Sequence, residues 1–115
     1  MISAYAIPGL KYELPKINKF NHSQVMQIVA DYFYTELSEI ASKQDANTVY
    51  KRDIMFYILR EYSKLTMVNI AKEFKRADHT SIVKPVRKIK MILNDDDFPD
   101  KNYRIDIENI LKLLY

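Results

Sequence analysis

The side chains that could carry chemistry are concentrated in a basic stretch in the middle of the chain. Residues 49–92 contain 11 Lys or Arg and only 4 Asp or Glu, whereas the whole 115-residue protein has a formal net charge of +3. This asymmetry is typical of a face that binds a polyanion, although solvated lysines on ordinary helices also produce it. Nucleic acid is therefore a candidate partner, and a solvated helix surface is the alternative.

Groups suited to catalysis or to metal binding are scarce. The two histidines, His22 and His79, are far apart in sequence and offer no recognisable pairing of a nucleophile with a base. The consecutive carboxylates at 95–97 lack the alternating ligands and the glycine turn that a hard cation requires. We expect no enzymatic activity, no metal site and no cofactor.

The small residues and the cysteine count exclude further classes. Gly9 is the single glycine, so no glycine-rich loop can bring backbone amides to the phosphates of a nucleotide. The chain has no cysteine, which excludes disulfides, thiolate zinc sites and cysteine nucleophiles. The apolar runs are too short to cross a membrane. We therefore predict neither a nucleotide nor a membrane as a partner.

Helical periodicity runs through the chain from Ser23 onward. Apolar residues recur at spacings of three and four in five or six segments, and a polar loop is predicted over 43–48 before the third helix. Residues 1–21 contain two prolines and the glycine and have no sustained period, which predicts an extended arm. We expect an all-α domain over 22–115. The arm and the acidic C-terminal segment are candidate surfaces for a protein partner.

Two of the predicted helices are joined by a short basic turn. Thr66 is placed to cap a short helix that ends at residue 74, and the turn is predicted over 75–77. Asp78 can accept hydrogen bonds from the first amides of a single long helix over 78–93. The pair fits a helix-turn-helix, whose second helix enters the major groove of DNA. By spacing alone, an αα-hairpin within a bundle is as good an interpretation.

The residues of this pair and of the preceding helix resemble a known family. They are similar to the C-terminal DNA-binding domain of the bacterial replication initiator DnaA, and the Asp-His-Thr-Thr signature of that family appears here as Asp78-His79-Thr80-Ser81. The similar segments are 54–61, 65–74, 78–82 and 86–89. The resemblance covers most of the chain, from about residue 22. It implies a Trp-repressor-like domain of five to six helices that binds double-stranded DNA in a sequence-specific manner.

The resemblance also implies roles for individual residues. Asp78, His79 and Thr80 would face base edges in the major groove, and Ser81 would support them at the helix start. Aspartate can accept from the amino group of cytosine, histidine can donate to a purine, and the threonine methyl can contact that of thymine. Apart from the resemblance, these are ordinary residues of a helix start. The candidate DNA-binding residues are Lys51, Arg52, Thr66, Lys75, Arg76, Asp78, His79, Thr80, Ser81, Lys84, Arg87 and Lys88.

Three positions differ from the family pattern. The residues at 75–77 are Lys-Arg-Ala where the family has Gly-Gly-Arg, so the turn must form without glycine and Arg76 is expected to contact phosphate. The residues at 50–52 are Tyr-Lys-Arg where the family has Arg-Pro-Arg, so a tyrosine replaces the arginine that enters the minor groove. Both cations of this segment are expected on the exposed face of the third helix. Pro85 lies inside the predicted long helix and predicts a bend there.

The expected function follows from the resemblance together with the basic middle segment. We expect a DNA-binding regulator or a replication-related DNA-binding protein without ATPase activity, in the bacterial cytoplasm or encoded by a phage, and associated with the nucleoid. The alternative is a protein-interaction adaptor that keeps the helical scaffold and lacks base readout. Whether the chain is a whole protein or an excised domain, and which DNA sequence it binds, stays open at this point.

Overall fold

The computed structural model describes residues 20–115, and these residues form six α-helices. The helices are α1 His22–Tyr32, α2 Leu37–Ser42, α3 Ala46–Tyr62, α4 Met67–Glu73, α5 Thr80–Leu93 and α6 Asn102–Leu114. The only strand-like pairing within the described range is an isolated bridge between Phe20 and Ser63. The all-α prediction is confirmed. The predicted arm over 1–21 lies almost wholly outside the described residues.

The third helix, α3, is the centre of the domain. Eleven of its 17 residues are buried, and it packs against each of the other five helices. No residue in the apolar run 54–59 is more than 3% exposed. A helix that is apolar on all sides must be surrounded. The other helices are therefore arranged around α3, and each has to supply only one apolar face.

The fifth helix lies along α3 and buries a single stripe. Ile82, Val86, Ile89 and Leu93 are buried, as their spacing predicted. The helix begins at residue 80, two positions after the predicted start, and continues without a break through Pro85. Proline has no amide hydrogen to donate to the carbonyl four residues earlier. The predicted bend at this position stays a prediction.

The start of α3 differs from the sequence-based expectation. The stretch 43–48 was predicted to be a loop, but α3 already begins at Ala46. The carboxylate of Asp45 accepts hydrogen bonds from the amide of Thr48 at 3.1 Å and from its hydroxyl at 2.8 Å. These two bonds lower the pKa of Asp45 and satisfy an amide that has no partner within the helix. A capping interaction, and not apolar periodicity, therefore sets the helix boundary.

The first and last residues of the described chain lie side by side. The rings of Phe20 and Tyr115 meet edge to face with their centroids 5.2 Å apart. The Phe20 amide also donates to the carbonyl of Tyr62 at 3.3 Å, at the end of α3. Within residues 20–115, no helix has the length and apolar character needed to span a membrane.

The turn that follows α4 adopts a backbone conformation that glycine usually supplies. Lys75 has a φ of 55°, and its amide donates to the carbonyl of Lys72 at 3.1 Å. The amide of Arg76 donates to the carbonyl of Ala71 at 2.8 Å. These two bonds form a Schellman motif, in which the residue with positive φ is most often glycine. The turn thus forms without glycine and places Lys75 in a strained conformation.

This strain gives a prediction for Lys75→Gly. Glycine adopts positive φ freely, whereas a side chain costs roughly 1–2 kcal/mol there. We expect the variant to be more stable by about 1 kcal/mol, because the greater freedom of its unfolded chain offsets part of the gain. Urea denaturation measures the change, and Lys75→Ala is the matched control that removes the charge and keeps the Cβ. Equal stability of the two variants would show that the turn is unstrained.

Candidate nucleic-acid interface

The two helices predicted to form a helix-turn-helix are both present. Thr66 caps α4, because its hydroxyl oxygen accepts from the amide of Asn69 at 3.2 Å. The connection between the helices comprises residues 74–79 and not only the predicted 75–77, because α4 ends at Glu73 and α5 begins at Thr80. Each helix buries one side on the core. The opposite side of both helices, including the start of α5, faces solvent.

The carboxylate of Asp78 organises the start of α5. Its Oδ1 accepts from the amide of Thr80 at 2.9 Å and also from the Thr80 hydroxyl. The hydroxyl of Ser81 donates to the carbonyl of Asp78 at 3.1 Å. The bonds from Thr80 lower the pKa of Asp78, so the carboxylate is ionised at neutral pH. The predicted hydrogen bond to the first amides is confirmed, although the residue at the N-cap position itself is His79.

The exposed groups of this segment differ in what they can bind. His79 makes no side-chain capping bond, and its backbone carbonyl accepts from the amides of Ile82 and Val83. The Thr80 hydroxyl already donates to Asp78, and the Thr80 side chain is exposed. The exposed residues at the start of α5 therefore include a carboxylate, an imidazole and a threonine side chain.

Three cations continue along the exposed side of α5. Lys84, Arg87 and Lys88 are all exposed, and their spacing of three and four places them on one face of the helix. The Lys88 ammonium lies 3.5 Å from a carboxylate oxygen of Asp53 and 5.6 Å from the centre of the Tyr103 ring. Burial lowers the pKa of Lys88, but Tyr103 and Asp53 outweigh that effect and raise it. Lys88 therefore stays charged.

Arg52 is not on the exposed face of α3, so that prediction is wrong. The residue is 5% exposed, and its NH1 group donates to the carbonyls of Ile40 and Lys43, each at 2.9 Å. These carbonyls belong to the C-terminal end of α2, where backbone acceptors have no helical partner. Arg76 donates to the carbonyl of Ala41 at 3.2 Å, at the same helix end. The two guanidinium groups therefore converge on α2.

The neighbours of Arg52 are also held against the protein. The hydroxyl of Tyr50 donates to the carboxylate of Asp106, and burial raises the pKa of Tyr50. The ammonium of Lys51 donates to the hydroxyl of Thr35 at 2.8 Å and lies 5.8 Å from the centre of the Phe33 ring. The tyrosine at the position of the family's groove arginine is thus a packing residue. Neither cation at 51–52 extends freely into solvent.

The acidic run after α5 is a hydrogen-bonded loop. The Asp95 carboxylate accepts from the amide of Asp97 at 3.0 Å, and the Asp96 carbonyl accepts from the ammonium of Lys101 at 2.7 Å. The carboxylate of Asp96 lies 3.9 Å from Arg104. Across the described part of the chain, no cluster of three or more His, Cys, Asp or Glu side chains is placed to hold a metal ion.

The short capped helix, the turn and the second helix with its exposed polar start define a helix-turn-helix domain of the DNA-binding class. Residues 22–89 match the family described as the bacterial dnaA protein helix-turn-helix, and the chain belongs to that family. Over 110 residues it is 30% identical to the chromosomal replication initiator protein DnaA of Streptococcus thermophilus, with the same values in several strains. The match covers 95% of this chain and 23% of those relatives, so the chain spans under a quarter of their length.

The burial of Arg52 gives a prediction that distinguishes a structural arginine from an exposed one. Replacing Arg52 by alanine leaves buried carbonyls without donors, and we expect a loss of about 2–3 kcal/mol in the free energy of unfolding. Arg87→Ala removes an equal charge from an exposed position and should change stability by no more than about 0.5 kcal/mol. Urea denaturation of both variants provides the comparison. If they unfold at the same urea concentration, Arg52 does not hold the end of α2.

Proposed function

We propose that this protein binds double-stranded DNA in a sequence-specific manner, with the start of α5 in the major groove. The observation that carries the proposal is the exposed segment 78–81 at the head of a cationic helix face, in a member of the dnaA helix-turn-helix family. In this arrangement Asp78, His79 and Thr80 contact base edges, and Ser81 supports them from the helix start. The DnaA relatives are chromosomal replication initiator proteins, and this chain corresponds to one part of them.

The dimensions of α5 suit this role. The helix rises about 1.5 Å per residue, so Lys88 lies about 12 Å along the axis from Thr80. The major groove is also about 12 Å wide. The first turn can therefore reach the bases while Lys84, Arg87 and Lys88 reach phosphates at the edge of the groove. Lys75 is exposed in the turn before the helix, and we propose that it also contacts the DNA backbone.

Asp78 contributes to discrimination and not to overall affinity. Its ionised carboxylate is repelled by the phosphates of any DNA sequence, which weakens binding in general. A cytosine amino group offers a hydrogen bond to the Oδ2 atom, which the bonds from Thr80 leave available. Sequences without a donor at that point keep the repulsion and gain nothing. The carboxylate therefore acts against wrong sequences as well as for the right one.

The cellular role can be proposed only in broad terms. We propose a regulator or a replication-related DNA-binding protein in a bacterial cytoplasm, with no catalytic activity and no nucleotide of its own. Tyr50 packs on Asp106 in place of a groove-entering arginine, so readout is expected to come mainly from the major groove. The acidic segment after Leu93 is the surface proposed for a protein partner.

One observation favours a second candidate. The segment 50–52 no longer extends a cation toward DNA, which is what an adaptor that had lost base readout would show. Such an adaptor would keep the helical scaffold and bind another protein. The exposed cations of α5 favour the DNA-binding proposal, because cations grouped on one helix face suit a polyanion.

A salt titration with duplex DNA separates the two candidates. Sequences selected from a random duplex library should share a preferred site, and the logarithm of the binding constant should fall steeply as the logarithm of salt concentration rises. Neutralising roughly 4 to 7 phosphates would give a slope between about −4 and −6. No binding at low salt, or binding that is indifferent to salt, would contradict the DNA proposal and support the adaptor.

Base readout has its own prediction. His79→Ala and Thr80→Ala should each weaken binding to the selected site by about 1–3 kcal/mol and have much less effect on random DNA. Lys112→Ala, an exposed charge on α6, is the control and should leave the preference for the selected site unchanged. Competition titrations with both DNAs give the two affinities. Equal losses on selected and random DNA would mean that these side chains do not read bases.

A further inference from the structure

An open pocket of about 360 Å³ lies beside the start of α5, between α3, α5 and the turn that joins α4 to α5. Its floor is partly apolar, and its polar walls carry an excess of positive charge. The polar side chains that matter are Arg52, Asp53, Arg76, Ser81, Lys84 and Lys88. Four cations face one carboxylate, and like charges held together repel one another. We call this site the α3–α5 cation pocket.

The two arginines of the pocket are fixed in place by the protein itself. Arg52 is 5% exposed and donates hydrogen bonds to carbonyls at the end of α2. Arg76 is half-buried and donates a hydrogen bond to the carbonyl of Ala41. Burial, and then the nearby positive charge of Arg76, lower the pKa of Arg52. A guanidinium has five N–H donors, so the single bond of Arg76 to Ala41 leaves several for a ligand.

The single carboxylate is already paired. Asp53 is 8% exposed, and its Oδ2 lies 3.5 Å from the ammonium of Lys88. Burial raises the pKa of Asp53, and the nearby Lys88 opposes that rise. The negative charge of Asp53 is offset by the positive charge of Lys88. The charges of Arg52, Arg76 and Lys84 remain in excess. An anion in the pocket would offset that excess.

We propose that the α3–α5 cation pocket holds one phosphate group of the DNA backbone. This proposal rests on the proposed function. Arg76 offers the planar donor geometry that suits a phosphate, Lys84 supplies a second cation, and the Ser81 hydroxyl, which now donates to Asp78, can turn toward the ligand. Because Ser81 directly follows the base-facing residues, a phosphate held here fixes the register of α5 on the bases.

Asp53 is the group that distinguishes a pocket from a row of surface cations. It is buried beside Lys88, so it acts most strongly on a phosphate inside the pocket, by repelling that phosphate and by holding Lys88. Asp53→Asn removes both effects with little change in shape. We expect this variant to bind the selected site several-fold more tightly, and Lys84→Ala to bind it more weakly, with a salt slope smaller by about 1.

The test uses the whole chain and duplexes in which one phosphate at a time is replaced by an uncharged methylphosphonate. Neutralising one particular phosphate should weaken binding of the wild-type protein, have much less effect on Lys84→Ala, and remove the gain of Asp53→Asn. Lys112→Ala, which lies outside the pocket, should keep the wild-type pattern. Thermal melts establish that each variant is folded. If Asp53→Asn unfolds, Arg76→Lys serves instead, because it keeps the charge and loses the planar geometry.

Two results would overturn the proposal in different ways. If the protein binds duplex DNA but no single phosphate depends on Lys84 and on Asp53 or Arg76, the pocket holds no phosphate and the DNA-binding function stands. The second arm compares melting temperatures in inorganic phosphate and in chloride at equal ionic strength. If duplex DNA does not bind but phosphate raises the melting temperature of the wild-type protein and not of Lys84→Ala, the pocket serves a free phosphorylated ligand. That result would contradict both the DNA source and the proposed function.

Discussion

The burial of the central run of α3, Ile54–Leu59, is the constraint on which the rest of the structure depends. This run has no solvent-facing side, so the helices that pack against α3 must cover it between them. Because α3 supplies the common core, α5 needs only the stripe from Ile82 to Leu93 to hold it in place. The remaining surface of α5 is free to carry cations and the polar tetrapeptide. The surface proposed to contact DNA therefore exists because a neighbouring helix provides the packing.

Charged groups within α3 help to fix the orientation of α5 against it. Asp53 and Glu61 are buried carboxylates on α3, and they lie 3.5 Å and 3.1 Å from the ammonium groups of Lys88 and Lys90 on α5. A buried carboxylate that loses its partner is costly, on the order of 3–5 kcal/mol. Two such contacts, two helical turns apart on α3, oppose rotation of α5 about its own axis. Apolar side chains alone would permit such rotation more readily, because they pack without strong directionality.

The sequence predicted the helices and much of the turn because both depend on local chemistry. The apolar spacing of α5, the capping role of Thr66 and the hydrogen bond that Asp78 accepts are set by residues only a few positions apart. The burial of Arg52 was missed because its partners are backbone carbonyls of another helix, which no side-chain pattern reveals. Its position beside an uninterrupted buried run was the available signal. The roles of the individual DNA-contact residues stay predictions, because they depend on a partner molecule.

The contact between Phe20 and Tyr115 makes the described chain nearly a closed ring. A domain whose first and last residues lie this close often tolerates circular permutation, in which those two residues are joined and the chain is opened elsewhere. Residues 1–19, which precede Phe20, would be left out of such a protein. A short linker could replace the contact, and the exposed loop between α5 and α6 is an opening that cuts no helix. In such a protein α6 would come first and the candidate recognition helix last. The three-dimensional order of the helices around α3, and not their order along the chain, would then be what specifies this domain.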